Sequence, residues 1–299
     1  MLPTPGLHHI TVVGSDPGRN LAFYTGVLGL RLVKKTVNYE DPQTYHLYYA
    51  VGSAAPGTVL TFFLNQSTRP GVPGKGQASA VRFAAPRGSI HHWNRALDHA
   101  GAHLGHTSYG EQVLRFQDPD GTSLELVEAH TDGREQPALA AIAGVTLRVA
   151  DHRLTTCLLR GALGLDVTAL DEARSRLQPP ASTGAPAHAL EIQTDTNDTG
   201  QMGAGIIHHV AFRAIDDSHQ LELQNAIAAA GCSVTPVIDR TYFRSVYFHE
   251  PGGVKLEIAT DRPGFCVDEP EADLGTRLVL PPRLEKERAR IESSLRSGP

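Results

Sequence analysis

GIIHHVAFRA (Gly205–Ala214) and GGVKLEIAT (Gly252–Thr260) carry the reading of the whole chain, because both have the two-residue period of a strand. In the first, Val210 and Phe212 face one way while His209, Ala211 and Arg213 face the other. In the second, Val254, Leu256 and Ile258 form an apolar face that leaves Lys255, Glu257 and Ala259 opposite. The N-terminal segment GLHHITVVG (Gly6–Gly14) repeats the first pattern, with Ile10 and Val12 on its apolar side and His9 and Thr11 on the other. Two histidines and one carboxylate thus stand on the same kind of face. His9, His209 and Glu257 are the candidate site.

Working outward, the chain repeats itself. DPDGTSLELV (Asp118–Val127) matches EPGGVKLEIA (Glu250–Ala259) without gaps, and the helical stretches NRALDHAGA (from Asn94) and QNAIAAAGC (from Gln224) precede them. NLAFYTGVLGLRLV (from Asn20) likewise resembles TTCLLRGALGLDVT (from Thr155). Each copy reads as a strand, a helix ending in Gly, and two or three strands with a Pro-Gly or Asp-Gly turn before the last. The pattern predicts an α+β chain of four βαβββ units at about residues 6–65, 76–129, 143–194 and 205–260. It divides into an N-terminal pair of units (1–130), a linker (131–142), a C-terminal pair (143–265) and a tail (266–299). TDTNDTGQMGAG (from Thr194) is a second connector, and EKERARIESSLRS (from Glu285) reads as a short surface helix without chemistry.

Composition narrows the partners. The 299 residues are 40% hydrophobic and 20% charged, as in a globular protein with a substantial core, and the net charge of −5 comes without a Lys/Arg cluster. Nucleic acid and anionic membranes are excluded as expected partners. Cys157, Cys232 and Cys266 are too few and too scattered for a disulfide framework or a thiolate metal site, so a reducing cytoplasm is expected. No signal peptide or membrane span is predicted, and a homo-oligomer is compatible with the composition.

The repeat separates the histidines. A lone strand histidine is usually structural, but aligning the units puts Ala80 where His209 stands and Thr146 where His9 stands, so a scaffold role does not call for His at these positions. His91 and His92 start a helix and read as an exposed pair, with His99, His103 and His106 solvated beyond them. Glu125 and Glu191 recur at the place of Glu257 without histidine partners and read as remnants. Two histidines and one carboxylate leave open positions on an octahedral metal, an arrangement of non-heme Fe(II) oxygenases.

With its HHI, HHVAF and KLEIA strands in four βαβββ units, the chain resembles the vicinal oxygen chelate superfamily. FYTGVLGLRLVKKTVN, DPQTYHLYY, TYFRSVYFHEPGGVKLEIATDRPGF and the DLGTRL tail resemble, within it, the ring-cleaving dioxygenases that open hydroquinones. The resemblance implies two open half-barrels, a metal held by His9, His209 and Glu257, and Fe(II) rather than Mn(II) at the site. It further implies a pocket lined by Tyr247, His8 and His208 as catalytic groups and by Arg240 and Thr11 as substrate contacts, with a small aromatic substrate and O2 as reactants. Glyoxalase I relatives commonly add a fourth, carboxylate ligand, and the matching strand TVLTFFLN (Thr58–Asn65) has no acid. Two other activities share this fold: a glyoxalase-like metal-dependent isomerase or lyase, and a metal-free, drug-sequestering binding protein.

Which units share a sheet follows from counting ligands. Neighbouring units pair by default. That pairing would leave His9 with Glu125 in one half-barrel and His209 with Glu257 in the other. Only pairing the first unit with the fourth collects all three ligands, which leaves the second and third units to form a metal-free half.

Overall fold

The protein is described by a computed structural model covering residues 2–52, 54–129, 138–183 and 188–295. Most of the expected linker, 131–142, lies outside the described residues. The first unit contains β1 (Leu7–Gly14), β2 (Arg31–Val37), β3 (Tyr45–Ala50) and β4 (Val59–Leu64). The second contains β5 (Gln77–Pro86), β6 (His103–His106), β7 (Gln112–Gln117) and β8 (Ser123–Ala129). The third runs through β9 (Ala141–Val149), β10 (Asp166–Leu170), β11 (Arg174–Gln178) and β12 (Ala189–Thr194), and the fourth through β13 (Ile207–Ala214), β14 (Ile238–Asp239), β15 (Phe243–His249) and β16 (Lys255–Pro263). Helices follow the first strand of each unit: α1 (Pro17–Leu21) running into a wider turn at Ala22–Val27, α2 (Ile90–Ala96), α3 (His152–Leu163) and α4 (Asp217–Ala229). Asp16, Asp151 and Asp216 cap three of them by accepting backbone N–H bonds.

The strands form two eight-stranded sheets, β14-β15-β16-β13-β1-β4-β3-β2 and β10-β11-β12-β9-β5-β8-β7-β6. The first unit therefore pairs with the fourth and the second with the third, as ligand counting demands. Each seam is an antiparallel pair of first strands, β1 with β13 and β5 with β9. The first sheet curls into a half-barrel, its convex face packed by helices and its concave face lined by a separate cluster around Val33, Tyr48, Ala50, Ala211 and Phe243.

Two bulges explain why histidines come in pairs. Leu7 pairs with Phe212 and His9 with Ala211, so His8 is an extra residue, and the shift between Thr11/His209 and Val12/Ile207 makes His208 another. The extra residue changes the alternation. Leu7, Ile10 and Val12 all reach the helix-side core, as do Ile207, Val210 and Phe212, while His9 and His209 go to the concave face. About the central pair Ile10–Val210 the seam has a local two-fold relation, which exchanges His9 with His209 and His8 with His208.

The same register corrects the assignment of Thr146. In the second sheet Val145 pairs with Val81, Gly144 with Arg82 and Thr146 with Ala80. Gly144, not Thr146, holds the place of His9, and Thr146 that of Thr11. A β-carbon on Gly144 would lie 2.1 Å from the Ala189 carbonyl oxygen, so no side chain fits there without movement of the backbone. Glu125 and Glu191 are not idle remnants either. Arg82, on the strand position of Ala211, donates to Glu125 Oε2 at 2.8 and 3.0 Å and to Glu191 Oε1 at 2.7 Å, and all three are buried. A guanidinium fills the metal-free half where the other half gathers its histidines.

The tail also differs from a surface helix. Its α5 (Arg288–Ser294) and the preceding turn bury Leu284, Ile291 and Leu295, and Val279 N–H bonds Lys35 O beside the β2 edge. Upstream, Asp268 and Glu269 both pair with the fully buried Lys34 Nζ. The tail thus shields an edge strand that would otherwise template association.

Candidate metal centre

His9 on β1, His209 on β13 and Glu257 on β16 meet on the concave face of the first sheet. His209 Nε2 lies 2.9 Å from Glu257 Oε2, His9 Nε2 lies 3.4 Å from the same oxygen, and the two Nε2 atoms are 3.4 Å apart. The three residues are buried, and among the described residues they form the one group of three or more metal-ligating side chains. Glu257 Oε1 accepts from Ser245 Oγ at 2.5 Å, whereas Oε2, despite its short distances, has no aligned hydrogen-bond donor. A buried carboxylate oxygen without a donor is costly. Three donor atoms spaced by about 3 Å match neighbouring positions around a first-row ion with bonds of about 2.0–2.2 Å, so the residues fit a metal.

Each histidine is oriented from behind. His8 Nδ1 lies 2.9 Å from His9 Nδ1, and His208 Nδ1 lies 2.7 Å from His209 Nδ1. A proton on Nδ1 of His9 or His209, donated to its neighbour, leaves Nε2 with a lone pair for the shared centre. Burial, with His9 beside it, lowers His8 to about 3, and burial, with His209 beside it, lowers His208 to about 2. Both are neutral at pH 7 and able to accept. Burial alone would raise the Glu257 carboxyl, but the two histidines outweigh it and hold the group well below the usual carboxylate range.

A cavity of about 120 Å³ opens beside the three donors, with Tyr48, Phe63, His208, Arg240, Tyr247 and Lys255 in its walls. Arg240 Nε donates to Tyr247 Oη at 3.1 Å, and its guanidinium also pairs with Glu40 at the cavity mouth. Lys255 Nζ lies 5.1 Å from the centre of the Tyr247 ring, so this wall carries two cations around one phenol. Burial raises the Tyr247 hydroxyl above its ordinary value, which keeps it a donor.

The structure therefore brings His9, His209, Tyr247, Arg240 and His208 into the lining of one cavity, with Glu257 fully buried against His9 and His209. His8 and Thr11 are not in its lining. The His8 ring turns to Phe243 and bounds a different depression with Tyr242 and Asp261, because the bulge sends it behind His9. Thr11 is fully buried and bonds Thr61 Oγ1 at 2.8 Å. His91, His92, His99, His103 and His106 are exposed, as expected.

The wall opposite Tyr247 holds residues that strand patterning did not single out. His46 Nε2 is 3.0 Å from Thr61 Oγ1, and His46 Nδ1 is 3.0 Å from Tyr48 Oη. A signal was present: in YHLYY (from Tyr45), His46 and Tyr48 share one strand face. The two-fold relation of the seam extends to these strands. Thr11 pairs with Thr61 and Ala211 with Glu257, so Thr61 occupies the place of a second carboxylate. Tyr48 pairs with Thr61 and Tyr247 with Glu257, which makes the two tyrosines counterparts on opposite walls.

The family model described as Glyoxalase/Bleomycin resistance protein/Dioxygenase superfamily matches residues 6–126 and 141–258. The chain is 40% identical over 302 residues to MhqO of Bacillus subtilis (strain 168), a proposed ring-cleaving dioxygenase, covering 98% of this chain and 96% of that one. It is 32% identical over 303 residues to the chlorohydroquinone/hydroquinone 1,2-dioxygenase of Sphingobium indicum, covering 94% and 92%. The crystal structure of a proposed dioxygenase from Bacillus subtilis superposes with a TM-score of 0.91 at 39% identity, covering 99% and 97%.

Proposed function

The chain belongs to the Glyoxalase/Bleomycin resistance protein/Dioxygenase superfamily, and from that premise we propose that it is an Fe(II)-dependent, extradiol-type ring-cleaving dioxygenase acting on a hydroquinone-like ring with O2. The observation that carries this reading is the convergence of His9, His209 and Glu257 with Thr61 in the place of a fourth, acidic ligand. Three protein ligands leave coordination positions for a substrate oxygen and dioxygen. Mn(II) would accept the same donors, and the dioxygenase relatives favour Fe(II). A cytoplasmic setting suits ferrous iron and three unpaired cysteines.

Bound there, the ion would polarise an ionised ring hydroxyl and pass electron density between ring and dioxygen. The protein's part is to orient and to protect. His8 and His208 hold the protons on the Nδ1 atoms of His9 and His209, and Ser245 fixes the rotation of the Glu257 carboxylate. Arg240 and Lys255 give the Tyr247 wall a positive potential that favours the ring oxygen in its ionised form, and the Tyr247 hydroxyl donates to that oxygen. The cavity volume suits one six-membered ring, for comparison a dry cavity of about 150 Å³ holds benzene, and it is small for a drug-sized ligand. This size weighs against the drug-sequestering alternative. The absent fourth acid weighs against the glyoxalase-like one.

The reading is tested by oxygen uptake of Fe(II)-reconstituted protein on a panel of hydroquinones and catechols. Uptake with a hydroquinone, lost on chelation, is expected; undiminished activity in chelated protein, or no uptake on any diol, sinks it. Tyr247→Phe should keep its metal and lose about 10- to 100-fold in kcat/KM, the worth of one hydrogen bond to a charged group. Unchanged kinetics would return Tyr247 to a packing role.

A further inference from the structure

We propose that the Tyr48 hydroxyl, oriented by His46, binds the second ring hydroxyl of a 1,4-diol, the one remote from the metal, and thereby sets the substrate pattern of the site. The inference rests on the ring-cleaving reading. Its basis is a chain of four side chains, Thr11–Thr61–His46–Tyr48, joined at 2.8, 3.0 and 3.0 Å. Both ring nitrogens of His46 are used within the chain, one on Thr61 and one on Tyr48. A phenol hydroxyl has one donor and two acceptor sites, so Tyr48 Oη keeps capacity beyond His46 and is the member of the chain able to bind a ligand in the cavity it lines.

The two tyrosine walls differ in charge. Tyr247 is flanked by Arg240 and Lys255, which suits an ionised oxygen. Its counterpart Tyr48 is engaged by a neutral partner, since burial and the facing His9 and His209 keep His46 well below its ordinary value. Around His46 and Tyr48 the facing groups include Tyr39, Tyr247, Glu257 and Arg240 besides those histidines. Phe243 and Phe63 add apolar surface to the same lining, which suits the faces of a flat ring. A catechol, with adjacent hydroxyls, cannot present both walls with an oxygen as a 1,4-diol can. In the bound state the substrate O–H donates to Tyr48 Oη while the Tyr48 proton is held by His46 Nδ1, and the His46 Nε2 proton by Thr61.

The test compares hydroquinone with phenol, which lacks the second hydroxyl, in wild type and Tyr48→Phe. With Fe(II)-loaded protein the KM for hydroquinone should rise about 3- to 10-fold, the loss of one neutral hydrogen bond, while the inhibition constant of phenol against hydroquinone stays within twofold. Metal content is measured alongside; if Tyr48→Phe loses metal, Thr61→Val, which breaks the same chain one link further back, is read in its place against the same ratio. An equal change for hydroquinone and phenol, or none for either, overturns the assignment of Tyr48 while wild-type oxygen uptake still stands. Absence of wild-type uptake on any diol overturns the underlying reading instead.

Discussion

Glu257→Gln is expected to abolish oxygen uptake and to weaken metal binding by more than about 100-fold, beyond the 10- to 100-fold typical of an outer-shell change. The amide removes the single anionic donor, and the two histidines then hold a divalent ion with no charge against it. The Ser245 hydroxyl, which now donates to Oε1, would meet an amide whose orientation it no longer dictates. Ser245→Ala should therefore fall within the outer-shell range and retain part of its metal. Glu125→Gln, in the matching strand of the other sheet, should leave metal content unchanged. Metal analysis of the three purified variants decides: equal losses for Glu257→Gln and Glu125→Gln would mean that a repeated structural carboxylate has been mistaken for a ligand.

Arg82→Met should destabilise the fold by about 3–5 kcal/mol, because it leaves the buried Glu191 without its cation and Glu125 with only the half-exposed Arg115 on its other oxygen. At roughly 2–4 °C per kcal/mol for a chain of this size class, thermal unfolding would move down by about 10 °C. The charge is strongly held in the native protein: burial works against the Arg82 guanidinium, but Glu191 and Glu125 more than compensate and raise it further. Replacing the whole set, Arg82→Met with Glu125→Gln and Glu191→Gln, should recover much of the loss, since removing both partners of a buried pair costs less than removing one. Calorimetry on the single and triple variants checks this. Equal melting temperatures for wild type and Arg82→Met would show that the triad carries no net weight.

How much of this was legible before the structure depends on which interactions were local. The strand faces of His9, His209 and Glu257 follow from alternation alone, and the count of ligands was enough to choose the pairing of units. Bulges were not legible. His8 reads as a pocket residue beside His9, yet it is the unpaired residue of a bulge and lies behind its neighbour. Aligning the first and third units puts Thr146 at the place of His9, and only the pairing of Gly144 with Arg82 moves it by two. Arg82 itself stood in plain view as a charge inside the apolar run AVRFAAP, where a buried partner could have been sought. His46 and Tyr48 shared a strand face, but their meaning depended on a register with Thr61 that no local pattern encodes.

The nesting of the two sheets has a consequence for how the chain reaches this state. The β5–β9 seam joins neighbouring units and can close once the chain has been made to about Val149, whereas β1 must wait for a partner about 200 residues away. Until then β1 is paired only with its own β4, and its other edge is bare. Closing the inner sheet first brings the two ends of that long interval together and shortens the loop that the outer seam must close. Folding should thus proceed from the inside out, with a slow final phase set by long-range pairing. The proposed ligands His9, His209 and Glu257 meet only in that last event, so a partly made or prematurely ended chain would own a finished scaffold half and no assembled candidate site.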